Sequence, residues 1–303
     1  MHTLKFSTEK PERLDKVVAG TLPLSRTQVQ KAIKNGQILV DGQIVPVKHL
    51  ITDESKVTFD DALVKPKKLT NFPPAVLDIL YEDDDVIVIN KPAGLLVHKT
   101  ETSDEPTLVD ALVAHDEKIA EVGDSRDRAG LVHRLDKGTS GVLITAKTQE
   151  AFEFLKSQFK NRETEKHYTA LVVGKMEKDH DIIDFPIERS KTTGRMAARP
   201  SSQGGREAIT NYDVIKRFPH QTLLDVKIDT GRTHQIRAHM YAIGHPIVGD
   251  TLYRNKGVKP MAIGRQFLHA RQLTITLPSG KKKTFSAPVP RELKEVLELI
   301  PKL

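Results

Sequence analysis

The alternation of hydrophobic and polar positions divides this chain in two, on either side of a proline-rich basic stretch near residue 70. Before it, Leu14, Val17 and Val18 lie at helical spacing across residues 12–22, and Pro23 interrupts the pattern. Ser25 is placed to cap a second helix, Gln28 completes a capping box, and Gly36 ends it. That helix gathers Val29 and Ile33 on one face and leaves Arg26, Gln30, Lys31 and Lys34 outside. Extended pieces follow at 38–40, 44–45 and 56–59, with Asp41-Gly42 as a tight turn between the first two.

Beyond the stretch Lys65-Pro66-Lys67-Lys68 through Pro73-Pro74, strands are expected at 77–81 and 86–89, with an acidic turn between them. A turn at 91–94 and a third extended piece at 95–97 come next, then a short helix at 107–115 with Leu108, Ala111 and Leu112 on one side. Residues 116–129 are charged and read as a mobile loop. Val142-Leu143-Ile144 marks a buried strand. The helix at 150–160 carries Phe152, Leu155 and Phe159 as a core stripe rather than a stacking face. Further strands are expected at 165–174, 205–217, 221–229 and 266–277, with a hairpin or loop at 184–200. Helices close the pattern at 233–243 and 290–300, the latter preceded by a basic turn at 280–283. Strands of varied length with a few helices and no regular βαβ repeat predict an α+β fold on a largely antiparallel mixed sheet with flanking helices. The expected division is a small α/β module at 1–65, a linker at 66–75 and a larger domain at 76–303.

Composition narrows the chemistry. The 303 residues include no Cys, which excludes disulfides, thiolate metal sites and a thiol nucleophile, and fits a reducing, cytoplasmic setting. No run approaches the length of a membrane span, and no apolar leader segment follows the first residue. A formal charge of +7 favours a polyanionic partner, because phosphate contacts release counterions; a lysine-biased solvated surface would show the same excess. Aromatic residues at 5%, without Trp, argue against a broad base-stacking platform. No GxGxxG or Walker-type loop supports nucleotide chemistry.

The densest polar sequence is Gly130 to Thr148, GLVHRLDKGTSGVLITAKT. It sets Asp136 in a polar turn just before the buried strand, a position suited to a side chain presented on a loop and held by a sheet. A solvated Asp136-Lys137 surface pair fits the same pattern. Another dense run, Asp229 to Met240 (DTGRTHQIRAHM), joins a strand to a helix, with Arg237 three residues beyond His234, so that both are expected on one side. His133, His234 and His239 lack an HxH or HExxH arrangement, so no metal is expected.

The run from His133 to Gly141, HRLDKGTSG, closely resembles the central motif of the bacterial-type RNA pseudouridine synthases that act on ribosomal RNA. The segment TGRTHQIR at 230–237 resembles a second motif of that family, Lys166-His167-Tyr168 a third, and Phe267-Leu268-His269-Ala270 a fourth. The order Arg13-Leu14-Asp15, Ser25-Arg26, Gly36 and Val40-Asp41-Gly42 is similar to the small RNA-binding module that ribosomal protein S4 shares with many RNA enzymes. Members usually carry Asn in place of Asp41. The resemblance implies a synthase domain preceded by an S4-like domain, with Asp136 as the catalytic carboxylate. Arg237 is implied as its partner, in which a bidentate guanidinium orients the carboxylate and keeps it ionised. Tyr168 would pack against the flipped base and take part in moving the C5 proton, Leu268 would line the apolar side, and Arg134 would support the site. Arg13, Ser25, Arg26, Lys31, Lys34, Arg126, Arg128, Arg232 and His234 are the implied RNA contacts. Val97-His98-Lys99 departs from the family's V-H-P, which is expected to loosen a loop near the pocket. The implied reaction turns uridine into pseudouridine inside an RNA chain, most readily large-subunit (23S) ribosomal RNA, by a monomer without cofactor or membrane. Transfer RNA as substrate, or a noncatalytic RNA-binding assembly protein, are the alternatives.

Overall fold

The computed structural model describes residues 2–8, 10–22, 24, 26–60, 63, 77–99, 105–190, 192–255 and 263–301. Pro23, Ser25, the side chain of Gln28 and the expected linker at 66–75 lie outside the described residues. The chain divides into two compact units, Met1–Pro73 with Asp124–Asp127, and Pro74–Gly123 with Arg128–Leu303.

The first unit runs β1 (His2–Thr3), β2 (Glu12–Arg13), α1 (Leu14–Thr21), α2 (Arg26–Lys34), β3 (Ile38–Val40), β4 (Leu50–Ile51) and β5 (Val57–Phe59). The helical stripes meet as expected: Leu14 and Val18 of α1 and Val29 and Ile33 of α2 are fully buried, together with Ile38, Ile51 and Val57. Lys31 and Lys34 are exposed. Asp41 adopts φ +51° and Gly42 φ +77°, so the turn after β3 uses two left-handed residues, and Asp41 accepts from the Lys56 amide at 3.0 Å. Residues 44–45 form no strand; β3 instead pairs with β5, which leaves β5 between β1 and β3.

Asp15 is the feature here that the apolar pattern did not show. Although fully buried, it accepts from Arg13 Nε at 3.0 Å, Arg26 Nε at 3.0 Å and Gln30 Nε2 at 2.7 Å. Burial alone would raise its pKa, and the hydrogen bonds from Arg13, Arg26 and Gln30 overcome that and hold it well below the usual carboxylate range.

The second unit contains β6 (Ile79–Glu82), β7 (Val86–Lys91), α3 (Leu108–His115), β8 (Ser140–Ala146), α4 (Gln149–Asn161), β9 (Glu165–Val173), β10 (His180–Ile183), β11 (Ile187–Arg189), β12 (Met196–Ala198), β13 (Thr210–Arg217), β14 (Gln221–Ile228), α5 (Gln235–Ala242), β15 (Leu268–Thr276), β16 (Lys282–Ser286) and α6 (Arg291–Leu299). Among the described residues one nine-stranded sheet carries it, in the order β10-β13-β14-β9-β15-β8-β7-β6, with β16 also on β15. Only β15 and β8 run parallel, through His269–Ser140 and Ala270–Gly141; the other pairs are antiparallel. β15 therefore borders β8 along its first residues and β16 from Gln272 onward. At that junction Gly141 has φ +118°, and a Cβ there would lie 2.1 Å from the Ala270 carbonyl oxygen. Only glycine fits.

Several sequence expectations change. The turn at 280–283 does not lead directly to the last helix but into β16, whose Phe285 is buried. Residues 95–97 form no strand, only a bridge from Leu96 to Thr107. The charged stretch 116–129 holds 3₁₀ turns at Glu117–Glu121 and Arg126–Arg128, anchored by fully buried Ile119, an apolar residue that the surrounding charge obscured. Phe152 and Leu155 are core, whereas Phe159 is only partly buried.

Candidate active site

The turn bearing Asp136 is held from below. Antiparallel pairing of β7 and β8 and the bridge from Leu131 to Thr145 fix its two ends to the sheet. Gly94 donates its amide to the Lys137 carbonyl at 2.7 Å. Beneath it, Lys91 is fully buried and gives its ammonium protons to the carbonyls of Pro92 at 2.7 Å and Leu95 at 2.9 Å. Burial pushes the Lys91 amine down to about 7. His133, next to the motif's arginine, accepts from the Ile144 amide at 3.1 Å and stacks on Phe159 with ring centres 4.5 Å apart. It is structural, and burial pushes its pKa down to about 3.

The other half of the site comes from the loop between β14 and α5. Gln235 fixes this loop: it accepts from the Thr230 hydroxyl at 2.7 Å and the Arg232 amide at 3.0 Å, and donates to the Ile209 carbonyl at 2.9 Å. His239 is fully buried between the Thr210 hydroxyl (2.9 Å) and the Phe185 carbonyl (2.8 Å). Among the described residues no group of three His, Cys, Asp or Glu side chains is placed to hold a metal ion.

Arg237 Nη1 donates to Asp136 Oδ2 at 2.9 Å across 101 residues of sequence. This pairing is single, not the bidentate contact expected. The guanidinium fork is used on Asp250 instead: Nε reaches Oδ2 at 2.6 Å and Nη2 reaches Oδ1 at 3.0 Å. Asp250 is itself fully buried at its side chain and also accepts the amides of Leu252 (2.8 Å) and Tyr253 (3.0 Å). Burial works against the Arg237 charge, but the bonds to Asp250 and the charges of Asp250 and Asp136 more than offset it, so its pKa stands above the usual value. One carboxylate thus orients the arginine and leaves one N–H direction for the other.

His234 and Arg237 both face Asp136, as their spacing leads one to expect, but His234 is not part of the helix. It is the residue before α5, in a left-handed conformation (φ 55°, ψ 22°), with Nε2 3.9 Å from Asp136 Oδ1. A cavity of about 260 Å³ opens beside Asp136, lined by Arg134, Tyr168, Arg232, His234, Arg237 and Leu268 among others. Tyr168 and Leu268 sit on neighbouring strands β9 and β15 and are both buried. Burial first, then the Asp136 charge, raises the Tyr168 pKa, so it stays a neutral phenol. A second cavity bordering Asp136 is lined by Leu96, Lys137, Gly138 and Gln266, and shares Arg134, Asp136, His234 and Arg237.

Arg134 is exposed and donates to His98 Nε2 at 3.2 Å; burial, then the charges of Arg134 and Arg128, push His98 down to about 4 and keep it a neutral acceptor. Lys99, where a proline was the expected residue, pairs with Asp110 at 3.2 Å in the capping box of α3. Arg232 is tied to the Glu207 carbonyl at 2.9 Å. Arg126 and Arg128 are exposed. In the first unit, Arg13 and Arg26 are tied to Asp15, with side-chain exposures of 36% and 51%.

A carboxylate and a guanidinium from distant segments face a cavity of mixed polar and apolar lining with a buried tyrosine, the grouping that the sequence resemblance implied. Residues 85–242 match the family described as RNA pseudouridylate synthase, and residues 12–54 match the S4 domain. The chain belongs to the RNA pseudouridine synthase family. The RNA pseudouridine synthase YlyB of Bacillus subtilis is 39% identical over 293 residues, covering 96% of this chain and 94% of that one. Ribosomal large subunit pseudouridine synthase D of Nitrosomonas europaea is 38% identical over 297 residues, covering 95% and 84%. The solved human RNA Pseudouridylate Synthase Domain Containing 1 shares 25% identity at a TM-score of 0.59, covering 79% of this chain and 99% of that one.

Around the cavity of this pseudouridine synthase stand two residues without a site role in the sequence reading: Lys166, there part of a motif only, and Phe159, expected in the core. Lys166 and Phe159 line the cavity, and burial pushes the Lys166 amine down to about 8. Tyr253 lies face-on to the Arg237 guanidinium at 5.1 Å. Asp250 is the largest omission. A lone acidic residue after the apolar pair Ile247-Val248 carries no spacing signal, and only the fold shows what it holds.

Proposed function

We propose that this pseudouridine synthase acts on large-subunit ribosomal RNA, as a cytoplasmic monomer, with Asp136 as the reacting carboxylate. The observation that supports this substrate is end-to-end similarity, S4 domain included, to proteins named for the large ribosomal subunit in Nitrosomonas europaea and Xanthomonas campestris. The net charge of +7 agrees with a phosphate-rich partner.

In the reaction the N1–C1′ bond of uridine breaks, the uracil turns while bound, and C5 becomes joined to C1′. No redox change or external donor is needed. Asp136 acts either as nucleophile on C1′ or as the base that takes the C2′ proton. Arg237 orients it, and Asp250 holds Arg237. A flipped uracil is received between Tyr168 and Leu268, whose contacts recover the few kcal/mol that unstacking costs. Arg134, which lines this cavity, supports the site, and Arg232 and His234 beside it are assigned to RNA contact, as are Arg13, Arg26, Lys31 and Lys34 of the S4 domain with Arg126 and Arg128.

Mapping pseudouridine in ribosomal and transfer RNA from a strain lacking the protein tests the substrate. The expected result is loss of one or a few pseudouridines from large-subunit RNA alone. Loss confined to transfer RNA would refute it.

A further inference from the structure

Lys166 stands apart from the other charged side chains that line the cavity beside Asp136. Asp136, Arg237, Arg134 and Arg232 each have a hydrogen-bond partner. Among the described residues Lys166 has neither a hydrogen bond nor an ion pair, although it is only 7% exposed. Its company is the ring of Phe159, whose centre lies 5.8 Å from Nζ. An ammonium has three donors and no acceptor, so an unpaired one under this much cover is costly unless a ligand answers it.

The position along the sheet is informative. Lys166 precedes Tyr168 by two residues on β9, which puts both side chains on one face of the strand, about 7 Å apart along it. Tyr168 feels the charge of Asp136, whereas the charges acting on Lys166 are those of Asp229 and Arg162, both partly exposed. Lys166 therefore marks the end of the cavity away from Asp136. No counter-ion is free there. Asp229 accepts from Asn211 Nδ2 at 2.9 Å and lies 3.9 Å from Lys227 Nζ, and the Glu207 carboxylate is paired with Arg162. Arg232, tied to the Glu207 carbonyl, adds a further cation on the same cavity. Burial, set against the pull of Asp229, leaves the Lys166 amine at about 8, so it is mostly protonated at pH 7.

We propose that Lys166 binds a phosphate flanking the target uridine, holding the strand while the uracil sits against Tyr168. This rests on the reading of the cavity as the seat of the flipped base. A carbonyl of the uracil would return one hydrogen bond to a desolvated cation, whereas a phosphate oxygen returns the bond and a counter-charge. The step from Tyr168 to Lys166 along β9 is comparable to the span from a nucleobase to its backbone phosphate. Lysine suits this task because it meets phosphate as a compact point charge.

The test is a cycle on synthetic RNA carrying the uridine that the mapping identifies, with one phosphodiester at a time replaced by an uncharged methylphosphonate. Each strand is given to the unaltered protein, to Lys166→Met, which keeps an apolar stem beside Phe159, and to Lys166→Gln. The single-turnover rate of pseudouridine formation at subsaturating enzyme is read. Both variants are expected to lower that rate on all-phosphate RNA by about 10–100-fold, the worth of one hydrogen bond to a charged group. At one linkage beside the target, the methylphosphonate is expected to slow the unaltered protein by a similar factor and the variants no further, because their contact is already gone. At the other linkages the two losses are expected to multiply. Multiplication at every linkage overturns the proposal, since Lys166 would then be packing the strand or meeting the base. Full activity of both variants overturns it as well. Product formed by Asp136→Asn on the all-phosphate strand would overturn the underlying reading of the cavity, and the role of Lys166 with it.

Discussion

Replacing Asp250 with Asn keeps the shape of a side chain that every neighbour treats as an acceptor. Oδ1 receives three donors, from Arg237 Nη2 and the amides of Leu252 and Tyr253, and Oδ2 receives Arg237 Nε at 2.6 Å. The new amide must put its NH2 group somewhere, and the Oδ2 position loses fewest bonds. There it meets the Nε–H, donor against donor. One charge-assisted hydrogen bond, about 1.5–3 kcal/mol, is lost in a site closed to water. The arginine keeps Asp136 as its counter-charge, so the full 3–5 kcal/mol or so of an orphaned buried ion is not reached. The expected loss is about 2–4 kcal/mol. All five tyrosines, Tyr81, Tyr168, Tyr212, Tyr241 and Tyr253, belong to the second unit, and the chain has no Trp. Tyrosine fluorescence during urea unfolding therefore reports that unit alone. Single-turnover rates should drop as well, by up to about 10²-fold, because Arg237 no longer holds Asp136 in one place. A variant within about 0.5 kcal/mol of the parent, the size of an ordinary surface change, would refute the claim that Asp250 anchors the pair.

Other consequences can be checked separately. Asp136→Asn should abolish pseudouridine formation while RNA affinity in a filter-binding assay stays within a few-fold; product from this variant would sink the assignment. Gly141→Ala should destabilise the second unit by at least about 1–3 kcal/mol, read by the same fluorescence, because the residue is left-handed and its Cβ would meet the Ala270 carbonyl. Asp15 predicts a pH dependence. Its folded pKa is depressed, so its stabilisation is complete above the unfolded value near ~3.9 and fades as pH falls from there toward the lower folded value. Protection factors of the amides in α1, taken relative to the intrinsic exchange rate at each pH, should fall on acidification through that window, and Asp15→Asn should flatten the response; an unchanged profile would remove the Arg13–Asp15–Arg26 network as its cause.

Local chemistry made much of this protein legible. The stripe Leu14, Val18, Val29 and Ile33 is buried as its spacing required, Val142-Leu143-Ile144 is an interior strand, and the Asp41-Gly42 dipeptide forms its turn. Misread segments share a cause. Ile119 looked like part of a charged loop because burial of a single side chain has no periodicity, and Lys282–Ser286 looked like turn and tail because its pattern exposes four of five residues. Residues 44–45 have strand composition, but the hairpin after β3 stops at the Val40–Gln43 bridge and they extend no ladder from it.

By itself the sequence determined the chemistry on offer: an aspartate in a glycine-bounded turn, an arginine at the start of a helix, a tyrosine in a strand, and no thiol. Those depend on residue identity and near neighbours, which a linear string contains. Packing in space is what makes Arg237 spend its fork on Asp250 and a single N–H on Asp136, and what sets His234 just outside the helix with Nε2 toward the carboxylate. The partners are 101 residues apart in one case, and in the other the outcome depends on a left-handed backbone and a tyrosine 19 positions away. Hydrogen-bond direction and charge pairing depend on distance in space, and sequence separation carries no measure of that.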